Sequence, residues 1–202
     1  MHDVRRLRAG LLIAVAALTL AAAPHRASAE LAHARAPAFK LQSLTGTKLD
    51  LAQLRAQGPV LLDFWATWCK PCLAALPELQ KIHEEFAPRG LTVIGVSTDG
   101  PRSFPKVRPF VARHSITYPI ALDDDGDMQQ KFQVRAMPMT VLIDTAGAIV
   151  HVSQGFRPGE GSRLRAAIMK LLPATPGAPK ATSPDSASPD SAPPDSTSDT
   201  GR

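Results

Sequence analysis

Cysteine is scarce in this sequence: of 202 residues only Cys69 and Cys72 are cysteine, three positions apart. Small exported domains that depend on disulfides use several pairs at wider spacing, which argues against a disulfide scaffold. A zinc site needs two further ligands, but there is no second cysteine pair and the histidines of the folded part have no paired spacing. We therefore predict no metal site, and we expect the two sulfurs to be present for their chemistry.

The N-terminal region lacks an apolar run long enough for a comfortable membrane span. Its apolar segment, residues 9–23, follows Arg5, Arg6 and Arg8 and precedes an Ala-Ser-Ala triplet at residues 27–29. This order is typical of a secretory signal, so residues 1–29 are predicted to be a signal peptide. The alternative is an uncleaved anchor that tethers the domain to the inner membrane. Both interpretations indicate a periplasmic location, and the absence of a cysteine after the apolar run excludes a lipid anchor there.

Large apolar residues are missing from residues 174–202, in which a Ser-Pro-Asp-Ser-Ala unit occurs at 183–187 and again at 188–192. Such a segment buries too little apolar surface to offset the entropy of ordering. We therefore predict a disordered tail rich in proline, serine and aspartate. The formal net charge is +5, but the basic residues are scattered along the chain without interleaved aromatics, which argues against nucleic-acid binding.

Residues 30–173 are predicted to form one α/β domain. Short apolar runs at 58–66 and 91–98 are typical of buried strands. Residues 72–86 place Leu73 and later apolar residues at helical spacing, with Pro77 expected to kink or notch the helix. Alternating strands and helices, followed by a hairpin and a last helix at 159–172, favour a mixed central sheet flanked by helices.

Two further segments are assigned from their patterns. Residues 39–54, before the first buried strand, are predicted to be an extra hairpin or edge strand that leads into a short helix. Residues 116–123 are predicted to be another strand. The acidic run at 123–127 fails the EF-hand spacing, because Phe132 stands where the bidentate glutamate would be, and is interpreted as a solvated turn.

The two cysteines fall where a predicted strand is followed by a predicted helix. The backbone N–H groups and the dipole of a helix N-terminus stabilise a thiolate at Cys69, and Lys70 adds a positive charge beside it. Pro71 fits the first turn, where no hydrogen bond is lost. Cys72, one turn further in, is expected to be more buried and less ionised. Cys69 is therefore predicted to attack a disulfide of a partner, and Cys72 to resolve the mixed disulfide.

Asp63 lies in the middle of an apolar strand, six positions before Cys69. The apolar residues around it predict burial, which raises the pKa of a carboxyl group. We predict that Asp63 takes the proton from Cys72 as that cysteine attacks. The alternative is an aspartate at a strand end that reaches solvent or a backbone N–H.

The segment "DFWATWCKPC", residues 63–72, closely resembles the active site of the thioredoxin superfamily. Within it, the exported TlpA/ResA/CcmG-type thiol–disulfide oxidoreductases are the most similar, and the resemblance covers nearly all of residues 39–172. Pro77 matches the proline of the family's second helix. The stretch 101–132 resembles the helix and strand that the exported group inserts into the minimal fold.

The resemblance implies further site residues. The segment "VRAMPMTVLID" matches the one that carries a cis-proline facing the disulfide, which maps to Pro138 preceded by Met137. Trp68 matches the tryptophan before the first cysteine, and with Met137 and Pro138 it is expected to bind substrate. Cytosolic thioredoxins pair the buried aspartate with a lysine on the central strand. The nearest match here is around Gly95, so Asp63 is expected to lack that partner.

The resemblance also implies a function: a reductant of disulfides in exported proteins, such as apocytochrome c or a copper-site cysteine pair. It needs no cofactor beyond the cysteine pair, and a membrane electron donor of the DsbD/CcdA type would recharge it. Two alternatives remain. A peroxidase with this fold would have a T-x-x-C site, whereas Thr67 is two positions before Cys69. A copper-delivery module would have a wider cysteine pair and a positioned histidine.

Overall fold

The structure is a computed structural model, and it describes residue 31 and residues 33–172. The predicted signal peptide, residues 1–29, and the predicted tail, residues 174–202, lie outside the described residues. Within the described part, no helix combines the length and the apolar character that crossing a bilayer requires.

An N-terminal hairpin precedes the main sheet, as predicted. Strands β1 (Lys40–Gln42) and β2 (Lys48–Asp50) pair antiparallel, and helix α1 (Leu51–Gln57) follows directly. Asp50 begins this helix, because its side-chain oxygen accepts a hydrogen bond of 2.9 Å from the backbone N–H of Ala52.

A five-stranded mixed sheet forms the centre of the domain. Its strands are β3 (Val60–Trp65), β4 (Thr92–Ser97), β5 (Ile120–Leu122), β6 (Met139–Ile143) and β7 (Ile149–Gln154). Their spatial order is β5-β4-β3-β6-β7, with β3, β4 and β5 parallel and β6 antiparallel to both of its neighbours. Every residue of β3 is buried, which explains its continuous apolar run.

Helices cover both faces of this sheet, so the predicted fold class is confirmed. The remaining helices are α2 (Lys70–Phe86), which a short 3-10 turn (Ala87–Arg89) follows, α3 (Phe104–Arg113), α4 (Asp127–Lys131) and α5 (Glu160–Leu171). Buried side chains of α2, α3 and α5 pack on the face that includes Leu61 and Trp65. Side chains of α1 and α4 pack on the opposite face, which includes Leu62 and Phe64.

Several local predictions need correction. Leu73 does not join the buried stripe of α2 but is 37% exposed. The helix contains Pro77 and extends to Phe86, as predicted. The strand predicted at 116–123 is shorter and begins at Ile120. Pro119 precedes it, and a proline cannot donate to the ladder of hydrogen bonds.

The acidic run at 123–127 is not simply a solvated turn. Asp123 is buried, and its two carboxylate oxygens accept hydrogen bonds from the backbone N–H groups of Met128 and Gln129 at 2.9 and 3.0 Å. This side chain therefore caps the first turn of α4. Sequence spacing excluded a calcium loop but did not reveal this cap.

Candidate active site

The two cysteines form a disulfide at the junction between β3 and α2. Their Cα atoms are 5.3 Å apart, and Cys69 is the residue that caps the N-terminus of α2. The Sγ atom of Cys69 accepts a hydrogen bond of 3.2 Å from the backbone N–H of Cys72. After reduction the same N–H would face a thiolate, so the start of the helix favours ionisation of Cys69.

The two cysteine residues differ slightly in burial, in the predicted direction, although both are buried. Cys69 is 5% exposed and Cys72 is 1% exposed. Pro71 lies in the first turn of α2, where it lacks an N–H that the helix does not need. Lys70 is exposed next to Cys69. The roles assigned to Lys70 and Pro71 in tuning the thiol stay predictions.

Asp63 is buried in the middle of β3, as predicted, with 1% of its surface exposed. It alternates with Leu61 and Trp65 and therefore points to the face of the sheet that α2 covers. Neither carboxylate oxygen has a hydrogen-bond partner among the described residues. Burial raises the pKa of Asp63 to about 7, which suits a group that exchanges protons near neutral pH.

The neighbours of Asp63 on the adjacent strands are Gly95 on β4 and Thr140 on β6. Gly95 therefore lies at the position where cytosolic thioredoxins have the lysine, and Asp63 lacks that partner, as expected. A Cβ atom on Gly95 would lie 2.9 Å from Nε1 of Trp65 and 3.1 Å from the ring of Tyr118. Two aromatic side chains therefore fill the space beside Asp63 on that strand.

Tyr118 was not identified from the sequence. Its hydroxyl group is buried without a hydrogen-bond partner in the described part of the chain. Burial, and then the nearby charge of Asp63, raise the pKa of Tyr118. The ring also meets His83 of α2 edge-on, with ring centroids 5.8 Å apart. A short pattern could not have found this residue, because nothing in the local sequence brings it to Asp63.

A second buried carboxylate, Asp99, holds the loop before the cysteines. It accepts hydrogen bonds from the backbone N–H of Thr67 at 2.9 Å and from the Thr67 hydroxyl at 2.6 Å. The Ser97 hydroxyl donates a third bond at 2.9 Å. Asp99 thereby fixes the position of the residue that precedes Trp68. The sequence offers only a weak sign of this role, namely that Asp99 follows closely after a predicted buried strand.

Trp68, Met137 and Pro138 are the residues expected to bind substrate. Trp68 is 65% exposed. The peptide bond between Met137 and Pro138 is cis, as the resemblance implied. Met137 packs against the buried cluster that contains both cysteines, and its sulfur accepts a hydrogen bond of 3.0 Å from the hydroxyl of Thr98. Gly155 donates a backbone hydrogen bond of 2.7 Å to the carbonyl of Pro138. The substrate-binding role of these residues stays a prediction.

Comparison with known proteins identifies the family. A family model described as the AhpC/TSA family matches residues 32–152. The chain belongs to this family. Among its relatives, the thioredoxin-like protein YneN of Bacillus subtilis is 36% identical over 60% of this chain and 70% of that protein. The thiol-disulfide oxidoreductase ResA of Oceanobacillus iheyensis is 32% identical over 59% of this chain and 63% of that protein.

Solved structures of similar proteins agree with the fold. A crystal structure from Chlorobium tepidum, proposed to be the thiol:disulfide interchange protein DsbE, has a TM-score of 0.64 at 28% identity. The similarity covers 69% of this chain and 96% of the Chlorobium tepidum chain. A solution structure of a thiol:disulfide interchange protein from a Bacteroides species has a TM-score of 0.58 at 26% identity, with 70% of this chain and 90% of that one covered.

These similarities confirm the predicted superfamily and the general activity. The chain is a thioredoxin-like member of the AhpC/TSA family and a thiol–disulfide oxidoreductase, like the relatives named ResA. It spans 63% and 65% of the length of two of those relatives.

Proposed function

We propose that this chain is an extracytoplasmic reductant of protein disulfides. The observation that carries the proposal is that Cys69 caps the N-terminus of α2, the helix that covers the sheet face to which Asp63 points. Asp63 is buried and has no hydrogen-bond partner among the described residues. This arrangement gives one cysteine at the helix start, where its thiolate is stabilised, and a second, more deeply buried cysteine with a candidate proton acceptor on the same face of the sheet. Such asymmetry is what a dithiol needs to complete an exchange in one direction.

The first step is attack by the Cys69 thiolate on a disulfide of the substrate. A bond forms between Cys69 Sγ and one substrate sulfur, and the other substrate sulfur leaves as a thiolate that takes up a proton. The backbone N–H of Cys72 lies close enough to stabilise the attacking thiolate before this step. Trp68, which precedes Cys69, and the cis pair Met137 and Pro138 are proposed to hold the substrate segment.

The second step releases the reduced substrate. Cys72 loses its proton to Asp63 and attacks Cys69 Sγ, which re-forms the intramolecular disulfide and expels the second substrate thiolate. Two electrons have then passed from the chain to the substrate. With a pKa of about 7, Asp63 accepts a proton and returns it to solvent without a large cost in either direction.

The proposal extends to the compartment and the partners. Residues 1–29 have the order of a secretory signal, which supports a periplasmic location, either free after cleavage or tethered by an uncleaved segment. In an oxidising compartment a reductant must be recharged, so we include a membrane dithiol donor of the DsbD/CcdA type. Exported disulfide proteins, apocytochrome c among them, are the proposed substrates, and no cofactor is needed beyond the cysteine pair.

A peroxidase is the second candidate, because AhpC/TSA is the family whose model matches. The disposition of Thr67 weighs against it. Its hydroxyl donates to Asp99 at 2.6 Å and so is already engaged, and Thr67 is two positions before Cys69 rather than three. Copper delivery, the other alternative, would bind the metal through the reduced cysteines and is tested by metal titration of the reduced protein.

Equilibration of the purified chain with glutathione at known ratios tests the direction of electron flow. We expect a reduction potential nearer to about −270 mV, as in thioredoxin, than to about −120 mV, as in DsbA. The reason is that Pro71 offers no donor to stabilise the reduced thiolate, whereas a strong oxidant stabilises that form heavily. A value above about −150 mV would reverse the assignment. Parallel assays with insulin and with hydrogen peroxide separate a disulfide reductase from a peroxidase.

A further inference from the structure

A groove runs beside the disulfide between the active-site loop and α3. It has a volume of about 560 Å³, and Thr67 and Trp68 form the wall nearest to the cysteines. The opposite wall is a face of α3, where Lys106, Phe110 and Arg113 recur at helical spacing. A segment that continues past a substrate cysteine bound at Cys69 on the Trp68 side would enter this groove.

Both walls are held in place before anything binds. On the loop side, the Asp99 carboxylate accepts two hydrogen bonds from Thr67. On the helix side, the ring of Phe110 stacks on the buried ring of Trp65 with centroids 5.1 Å apart. A groove that is already ordered costs less entropy to fill, which favours a binding surface over a passive crevice.

The charges of the groove have one sign. Lys106 and Arg113 are the charged side chains among the residues that line it, and both are exposed. Neither forms an ion pair with another residue of the described chain. Lys70 adds a further exposed positive charge on the residue after Cys69. Between the two cations the surface is apolar, formed by Trp68, Phe110 and the prolines of α3.

We propose that this groove binds the substrate segment that flanks the disulfide, and that it selects segments in which carboxylates accompany apolar residues. Carboxylates of the segment pair with Lys106 and Arg113, while an apolar side chain or a proline packs on Trp68 and Phe110. The inference rests on the proposed function, because it assumes that a protein disulfide is the substrate. It adds the chemical class of that substrate.

Single-turnover reduction of two peptides tests the inference. The peptides contain the same disulfide loop and differ only in whether two aspartates or two lysines flank one cysteine. The reduced full chain should react faster with the acidic peptide by about tenfold at low ionic strength, since two exposed charge pairs are gained in one case and two repulsions in the other. The difference should shrink as salt is raised, because the groove is open to solvent.

Charge-reversed variants locate the effect. The double variant Lys106→Glu/Arg113→Glu should lose or invert the preference. The matched control Lys81→Glu/Lys170→Glu changes the net charge equally, at exposed positions on α2 and α5 outside the groove, and should retain it. Alkylation of Cys69 by iodoacetamide should proceed at similar rates in both variants, which shows that the cysteines themselves are intact.

The outcomes separate this inference from the function on which it rests. Equal reduction of both peptides, or a preference that survives in the groove variant, overturns the inference alone. A preference that appears only after removal of residues 174–202 assigns the groove to the aspartates of the tail, and also overturns it. Failure of the reduced chain to reduce either peptide overturns the proposed function and the inference together.

Discussion

Asp63 on β3 lies directly opposite Gly95 on the parallel strand β4, so no side chain of that partner residue faces the carboxylate. The space over Gly95 is filled by the indole of Trp65 and the ring of Tyr118. A lysine at this position would have no room, and the aspartate is left without a compensating cation in the described structure. Its ionisation is therefore controlled by burial.

Asp63→Asn should raise stability and slow the reaction. The folded-state pKa of about 7 exceeds the ordinary value of 3.8, so the unfolded chain releases this proton first as pH rises. The folded state then loses stability between about pH 4 and pH 7, and the loss is complete above pH 7. The variant should gain up to about 4 kcal/mol at pH 8 and little at pH 4. Denaturant unfolding at both pH values measures this.

The effect of Asp63→Asn on the reaction rate depends on deprotonation of Cys72. Without a proton acceptor beneath it, reduction of insulin near pH 7 should slow by about tenfold or more. Asp124→Asn, at an exposed carboxylate, is the matched control and should change neither rate nor stability. A wild-type rate for Asp63→Asn would show that Asp63 is not the acceptor.

Gly95→Ala should destabilise the domain. The new Cβ would lie 2.5 Å from Cδ1 of Ile120 and 2.9 Å from Nε1 of Trp65, and at least the indole cannot move easily within a packed core. We expect a loss of about 1–3 kcal/mol. Gly100→Ala is the control, since no described atom lies within 4 Å of its added Cβ. Equal unfolding midpoints for the two variants would contradict this account of the Asp63 surroundings.

Asp99→Ala should loosen the loop that carries Trp68. It removes the acceptor for both the backbone N–H and the hydroxyl of Thr67, and it leaves these partly buried donors unsatisfied. We expect the free energy of unfolding to fall by about 2–4 kcal/mol, because hydrogen bonds to a charged carboxylate are stronger than those between neutral groups. Thr67→Val, which removes only the hydroxyl, should lose about half as much. No change in either variant would mean that Asp99 does not position the loop.

The sequence was informative where one short segment decides the structure. The strand with Asp63, the cap at Cys69 and the partner glycine near Gly95 follow from local spacing and from resemblance, and the structure has all three. The fold class was predicted for the same reason, since alternating apolar runs and amphipathic segments specify a mixed sheet.

Features built by distant segments were not predictable. Tyr118 reaches the neighbourhood of Asp63 only because β5 pairs with β4. Lys106 and Arg113 share a face of α3, but only the packing of the domain brings that face opposite Thr67 and Trp68 to form the groove. The sequence places Asp123 in an acidic run that was predicted to be a solvated turn. In the structure Asp123 is buried and caps α4.

Trapping of the mixed disulfide tests the central claim, that Cys69 attacks and Cys72 resolves. Cys72→Ser removes only the second step, so the full chain, expressed with residues 1–29 in place, should accumulate as a covalent adduct with its substrate that a reductant releases. Cys69→Ser should trap far less, because the remaining thiol is 1% exposed. Adducts that form mainly on Cys69 and carry exported disulfide proteins by mass spectrometry are the predicted result. Equal trapping by Cys69→Ser, or no adduct with either variant, would contradict the account.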